Sequence, residues 1–178
     1  MCIRDRAGGL RVLTDQEREA DEDNPKGYYE YEKVKELDKT REKEWVRDHR
    51  GITVKIISQL LKHLPPDNNY RVVFMLRNLD EVMASQNKML ERRGEPVNSE
   101  TDRQMKELFE RHLFQIRYWL NRQPNFEVLY LKYGEILTDP LEGARRLNAF
   151  FGGKLDVEKM ATVVDPDLYR NRVVQSGR

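Results

Sequence analysis

The 178-residue chain has the length of one domain, and its 32 lysines and arginines almost cancel 31 aspartates and glutamates, leaving a formal charge of +1. That balance excludes a bulk basic field for nucleic acid or an anionic membrane, while a local anion site remains open. One cysteine, Cys2, excludes an intrachain disulfide framework and any Cys-x-x-Cys pair for zinc or redox work.

Along the chain, Met1-Cys2-Ile3-Arg4-Asp5-Arg6 shows neither periodicity nor a cap and looks like translated adapter sequence. Residues 1–6 are therefore read as a non-native leader, and 7–178 as one domain whose own N-terminus is missing. Ala7-Gly8-Gly9 reads as the end of a helix, and Leu10 to Leu13 as a short strand. Residues 14–26 are dense in charge and contain the turn signal Asn24-Pro25-Lys26-Gly27, an exposed connection. Two short helices are expected between Tyr28 and Asp48, with Val34, Leu37, Trp45 and Val46 as the apolar positions and Gly51 as the stop.

Three runs, Ile52 to Ile57, Arg71 to Leu76 and Phe126 to Leu131, are nearly continuous in apolar and β-branched residues. Such runs predict strands of a parallel sheet covered on both faces. Ser58 to His63 reads as one or two helical turns and Pro65 to Asn69 as a loop. Ser99-x-x-Asp102 precedes the stripe Met105, Leu108, Phe109, Leu113, Ile116, Trp119, Leu120, a capping signal followed by a core-facing period, and Pro124 ends it. Asp139-Pro140 supplies an N-cap and first-turn proline for the stripe Leu141, Ala144, Leu147, Phe150, which Gly152-Gly153 closes. Alternating strands and helices predict an α/β fold with a parallel sheet. No run of the chain approaches the roughly 18–20 apolar residues a bilayer span requires, and no signal peptide is apparent, so a cytoplasmic setting is expected.

Ligands of open parallel sheets bind beyond the carboxyl ends of the strands, which directs attention to the residues after Leu76 and Leu131. Asn78, with Glu81 three residues on, is a capping pair, so a helix starts one residue after Arg77. Ser85 lies seven residues beyond the cap and returns to the face of Asn78 about 10 Å along the axis. A guanidinium and a hydroxyl converging there would grip a phosphate. The alternative is that Arg77 pairs with Asp80 and Ser85 is merely packed.

The stretch Tyr70-Arg71-Val72-Val73-Phe74-Met75-Leu76-Arg77-Asn78-Leu79-Asp80-Glu81-Val82-Met83-Ala84-Ser85-Gln86 resembles the strand-loop-helix by which P-loop-related sulfotransferases of bacterial type hold the 3′-phosphate of 3′-phosphoadenosine 5′-phosphosulfate (PAPS). Similarity extends to Asn24-Pro25-Lys26-Gly27-Tyr28-Tyr29-Glu30 and to the stretch from Val128 to Pro140, covering roughly residues 8–172. The resemblance implies a three-layer P-loop-like fold with a parallel sheet flanked by helices, and PAPS as co-substrate without a metal. It implies transfer of sulfonate to a hydroxyl or amine of a small-molecule acceptor. Arg77 and Ser85 would bind the 3′-phosphate, Tyr133 would sit beside the adenine or else serve as a core aromatic, and Lys55 would stabilise the transferring sulfonate or remain a solvated strand lysine. A C-terminal basic segment closes over the 3′-phosphate in many relatives, which makes Arg170 or Arg172 candidates against a solvated tail.

Cytosolic small-molecule enzymes of that family place a basic histidine two residues after the lysine, where this chain has Ile57. His63 lies eight residues after Lys55 and does not inherit the role. Glu30 is the candidate base instead, since Gly27-Tyr28-Tyr29-Glu30 resembles a substrate-side segment near the donor site, with Tyr28 and Tyr29 raising its proton affinity by desolvation; the alternative is a solvated glutamate. No basic glycine- or serine-rich loop for the 5′-phosphosulfate occurs in the sequence, so the first strand and that loop are expected to be missing and the chain to be an inactive fragment. The rival reading is a non-catalytic nucleotide- or partner-binding protein using the helix over 99–122. A P-loop kinase is disfavoured, since no Gly-x-x-x-x-Gly-Lys is present.

Overall fold

The computed structural model describes residues 2–15, 17, 19–20, 27–96 and 99–166. Asn24, Pro25 and Lys26 of the turn signal, and Arg170 and Arg172, lie outside them. At the centre are two parallel strands, β1 (Tyr70–Leu76) and β2 (Phe126–Lys132). Their register sets Tyr70 opposite Phe126 and Leu76 opposite Lys132. Successive side chains point to opposite faces, and both faces are covered, which is why the strands read as continuous apolar runs. Tyr70, Val72, Phe126, Val128 and Tyr130 join Phe74 in a core with Leu37, Trp45, Leu61, Ile116 and Leu120. Val73, Met75 and Leu129 pack with Leu131 against Ile136, Ala144, Leu147 and Met160 on the other side.

Between the strands run α3 (Leu79–Arg92) and α4 (Ser99–Leu120). Asn78 caps α3, its side chain accepting a hydrogen bond from the Asp80 amide, so the start of this helix follows the sequence signal. Ile116 and Leu120, at 0 % and 1 % exposure, carry α4 into the first core. After β2 the chain turns into α5 (Tyr133–Thr138) and α6 (Pro140–Phe150). Asp139 caps α6 by accepting from the Glu142 amide at 2.9 Å, and Gly152 and Gly153, at φ +90° and +81°, follow its end. A last helix, α7 (Val157–Thr162), packs on α6. Helices α5 and α7 are six residues long, too short to show a period in the sequence.

The segment between Tyr28 and Asp48 forms the two short helices expected, a 3₁₀ helix (Glu32–Glu36) and α2 (Glu44–Asp48). Ile52 to Ile57 does not form the expected strand. Among the described residues only Thr53 pairs, in a parallel bridge to Val12, with Leu13 N donating to Thr53 O and Thr53 N to Arg11 O, both at 2.8 Å. The same bridge is what becomes of the strand expected from Leu10 to Leu13. β-Branched residues favour extended backbone, but a ladder needs a partner edge residue by residue. Here the chain leaves after one bridge for a 3₁₀ helix (Ser58–His63).

The helix end expected at Ala7-Gly8-Gly9 closes α1 (Cys2–Ala7), formed by residues that show no periodicity or cap; it packs on α7 with Arg4 and Asp5 buried. Burial lowers the proton affinity of the Arg4 guanidinium and raises that of the Asp5 carboxyl. Gly8 closes this contact: a Cβ there would fall 2.5 Å from Met160 Sδ and 2.6 Å from Met160 Cγ, and Met160 has no exposed surface to retreat to. Gly8→Ala should therefore cost about 1–3 kcal/mol, measured as a lower urea midpoint. Gly143→Ala, whose Cβ would meet its nearest neighbour, Ile136 Cγ1, at 3.1 Å, should cost less.

Candidate functional site at the carboxyl ends of the strands

Because Leu76 and Lys132 are register partners, the residues that follow them, Arg77 and Tyr133, leave the sheet side by side. The Arg77 guanidinium lies over the Tyr133 ring, 5.0 Å from its centroid, a cation–π contact. Arg77 is exposed and, among the described residues, makes no ion pair. The alternative pairing with Asp80 is not formed. The Asp80 carboxylate instead accepts from Lys106 Nζ of α4 at 2.5 Å, and that bond holds the Lys106 ammonium above its ordinary proton affinity. Ser85 is half-buried on α3. It shares the helix face of Asn78, whereas Asp80 and Asn87 lie on the side that meets α4, where Asn87 Nδ2 donates to Asp102 at 2.5 Å.

The two residues singled out for the transfer chemistry, 25 positions apart, are in contact. Lys55 Nζ donates to Glu30 Oε1 at 2.9 Å and to the Tyr28 carbonyl at 3.3 Å, and stands 5.9 Å from the centre of the Tyr28 ring. Val54 and Ile56 turn towards the first core while Lys55 is exposed, the alternation the sequence suggests. Glu30 thus has a lysine ammonium at its carboxylate as well as the two neighbouring tyrosines. Tyr29, at φ +49°, occupies the left-handed region. A non-glycine residue there costs on the order of 1–2 kcal/mol and persists where surrounding contacts fix the backbone.

One such contact escaped the sequence reading. Asp15 N donates to Glu30 O at 3.3 Å, and the Asp15 carboxylate accepts from the amides of Glu32 at 2.6 Å and Glu17 at 3.2 Å. The Glu32 amide chiefly, then that of Glu17, keeps the Asp15 carboxyl below the usual carboxylate range. An aspartate in a charged run carries no signal of a partner 17 residues away. Lys106 was likewise invisible, its partner being 26 positions off.

Other polar groups lie apart from these residues. His112 Nε2 and Ser58 Oγ are 2.8 Å apart, and burial lowers the proton affinity of this imidazole. Two open hollows of about 490 and 370 Å³ meet at Lys62, one lined by Phe114, Tyr118 and Arg122 and the other by Arg41, Arg47 and His63. Among the described residues no cluster of three or more histidine, cysteine or carboxylate side chains is placed to hold a metal, and no helix is long and apolar enough to cross a membrane.

A family model for the sulfotransferase domain matches residues 13–168, most of the chain and all of the strand-end residues above. The chain belongs to the sulfotransferase family. Comparison with curated proteins and with solved structures gives no match. Sulfotransferases transfer sulfonate groups, generally from PAPS to small-molecule acceptors. In this sulfotransferase, Glu30, Lys55, Arg77, Ser85 and Tyr133 all lie within the matched residues, whereas Arg170 and Arg172 follow them. The mixed helix and strand structure with its small parallel sheet agrees with the assignment.

The Lys55–Glu30 pair has side-chain exposures of 41 % and 24 %. Partly exposed pairs contribute about 0–1 kcal/mol. Glu30→Gln and Lys55→Met should each shift the unfolding free energy by less than about 1 kcal/mol in urea titrations. A larger loss would make the pair a structural tie rather than a group available for chemistry.

Proposed function

We propose that this sulfotransferase takes its sulfonate from PAPS and binds the 3′-phosphate end of that donor at the β1–α3 junction. Arg77 and Ser85 donate hydrogen bonds to the 3′-phosphate, Tyr133 stands beside the adenine, and Arg170 or Arg172 adds a further cation. The observation that carries the reading is the strand register, which sets Arg77 beside Tyr133 at the carboxyl ends of parallel strands with its guanidinium in no ion pair among the described residues. Arg is suited to that task, since its planar fork matches two phosphate oxygens.

Lys55 and Glu30 supply the transfer end. An acceptor hydroxyl or amine attacks sulfur in line, the bond from sulfur to the bridging phosphate oxygen breaks, and adenosine 3′,5′-bisphosphate leaves with that electron pair. The acceptor proton passes to the Glu30 carboxylate. The Lys55 ammonium, held at 2.9 Å from Glu30 before substrate arrives, turns to the sulfonate oxygens and releases the carboxylate as it does so. Catalysis of this kind is positioning plus stabilisation of charge on transferring and leaving oxygens.

The test is a pair of calorimetric titrations with adenosine 3′,5′-bisphosphate and with adenosine 5′-monophosphate. Removing a charged hydrogen bond costs about 1.5–3 kcal/mol, so Arg77→Ala should weaken the bisphosphate about tenfold or more and leave the monophosphate unchanged. Equal weakening of both ligands would remove the 3′-phosphate assignment.

A further inference from the structure

Arg77 and Asp80 are three residues apart across the start of α3, carry opposite charges and are both exposed. Left to themselves they would pair, and Asp80, in the first helical turn, is fixed there by the favourable end of the helix dipole. In the structure they do not pair, and Lys106 reaches across from α4 to the Asp80 carboxylate at 2.5 Å. A second tie, Asn87 to Asp102 at 2.5 Å, holds the same two helices together seven residues further along α3, nearly two turns and therefore on the same face. The position of Lys106 is set by helix packing and not by its own flexible stem alone.

We infer that Lys106 is a positioning residue for Arg77: by occupying Asp80 it keeps the guanidinium over Tyr133 with its hydrogen-bond donors open to an anion. The inference rests on the proposed reading of this junction as the 3′-phosphate site and adds a residue on a different helix to it. The geometry at Tyr133 fits the same role. A tyrosine ring attracts a guanidinium through its π face and offers none of the carboxylate oxygens that would occupy the five N–H donors. The ring, 5.0 Å from the guanidinium carbon, therefore supports Arg77 without neutralising its charge, which a carboxylate in the same place would do. With Lys106 removed, Asp80 becomes a competing internal anion for Arg77, and ligand binding must first break that pair.

An exposed pair is worth up to about 1 kcal/mol, so Lys106→Met should weaken adenosine 3′,5′-bisphosphate about two- to fivefold and leave adenosine 5′-monophosphate unchanged. Lys106→Met combined with Asp80→Asn, which restores the local net charge, should return to wild-type affinity. In the Arg77→Ala background Lys106→Met should have no effect, a non-additivity that a purely structural or long-range charge effect does not produce. The ligand-free protein gives an independent reading: the Arg77 Nε–Hε resonance should move in Lys106→Met and return in the double variant. An unmoved resonance, or a loss from Lys106→Met that persists without Arg77, would overturn the inference. A wild-type protein that binds both nucleotides equally would overturn the proposed phosphate site instead, and the resonance would still decide the role of Lys106.

Discussion

The parallel register of β1 and β2 is the constraint on which the rest depends. Parallel pairing brings both carboxyl ends to one edge, and the partnership of Leu76 with Lys132 puts Arg77 next to Tyr133 there. The same register assigns Phe74 and Tyr130 to one core and Met75 and Leu131 to the other. A slip of one residue in either strand would exchange its two faces. It would bury the wrong set of side chains and separate the arginine from its ring, so the cores that fix the register also fix the site.

Exposed ion pairs in general contribute little to stability, but here they decide which cations are committed and which are open. Lys55 is held by Glu30 and by the Tyr28 carbonyl, Lys106 by Asp80, and Lys132 by Glu135 at 2.8 Å. Arg77 lies over an aromatic ring and, among the described residues, is in no ion pair. In the proposed site the two ends would thus start in opposite states: a lysine that must leave a carboxylate in order to act, and an arginine that an anion can approach directly. Asp15 belongs to the same economy of weak contacts, since its carboxylate pins the amide of Glu32 and its amide meets the carbonyl of Glu30.

Much of this was legible in the sequence where one physical signal dominates locally. The apolar runs ending at Leu76 and Leu131 are strands because burial on both faces admits no polar alternation, and Asn78 and Asp139 mark helix starts because each side chain satisfies an orphan amide. The run from Ile52 to Ile57 misled because propensity describes the residue while a strand requires a partner, and Thr53 alone found one. Of helix α1 only the end at Ala7-Gly8-Gly9 was legible, because its two buried residues are an arginine and an aspartate, which read as surface. Within the site, Arg77, Ser85 and Tyr133 could be placed by counting from strand ends. The contacts of Lys106 with Asp80, and of Asp15 with Glu30 and Glu32, join residues distant in the chain and leave no periodic trace.

The most direct test of the account is a crystal structure of the protein with adenosine 3′,5′-bisphosphate. The account predicts the 3′-phosphate oxygens within hydrogen-bond distance of the Arg77 guanidinium and Ser85 Oγ, the adenine against Tyr133, and Asp80 still held by Lys106. A nucleotide bound elsewhere, for example in the hollow between Arg41 and Lys62, or one that turns its 5′-phosphate to Arg77, would contradict it.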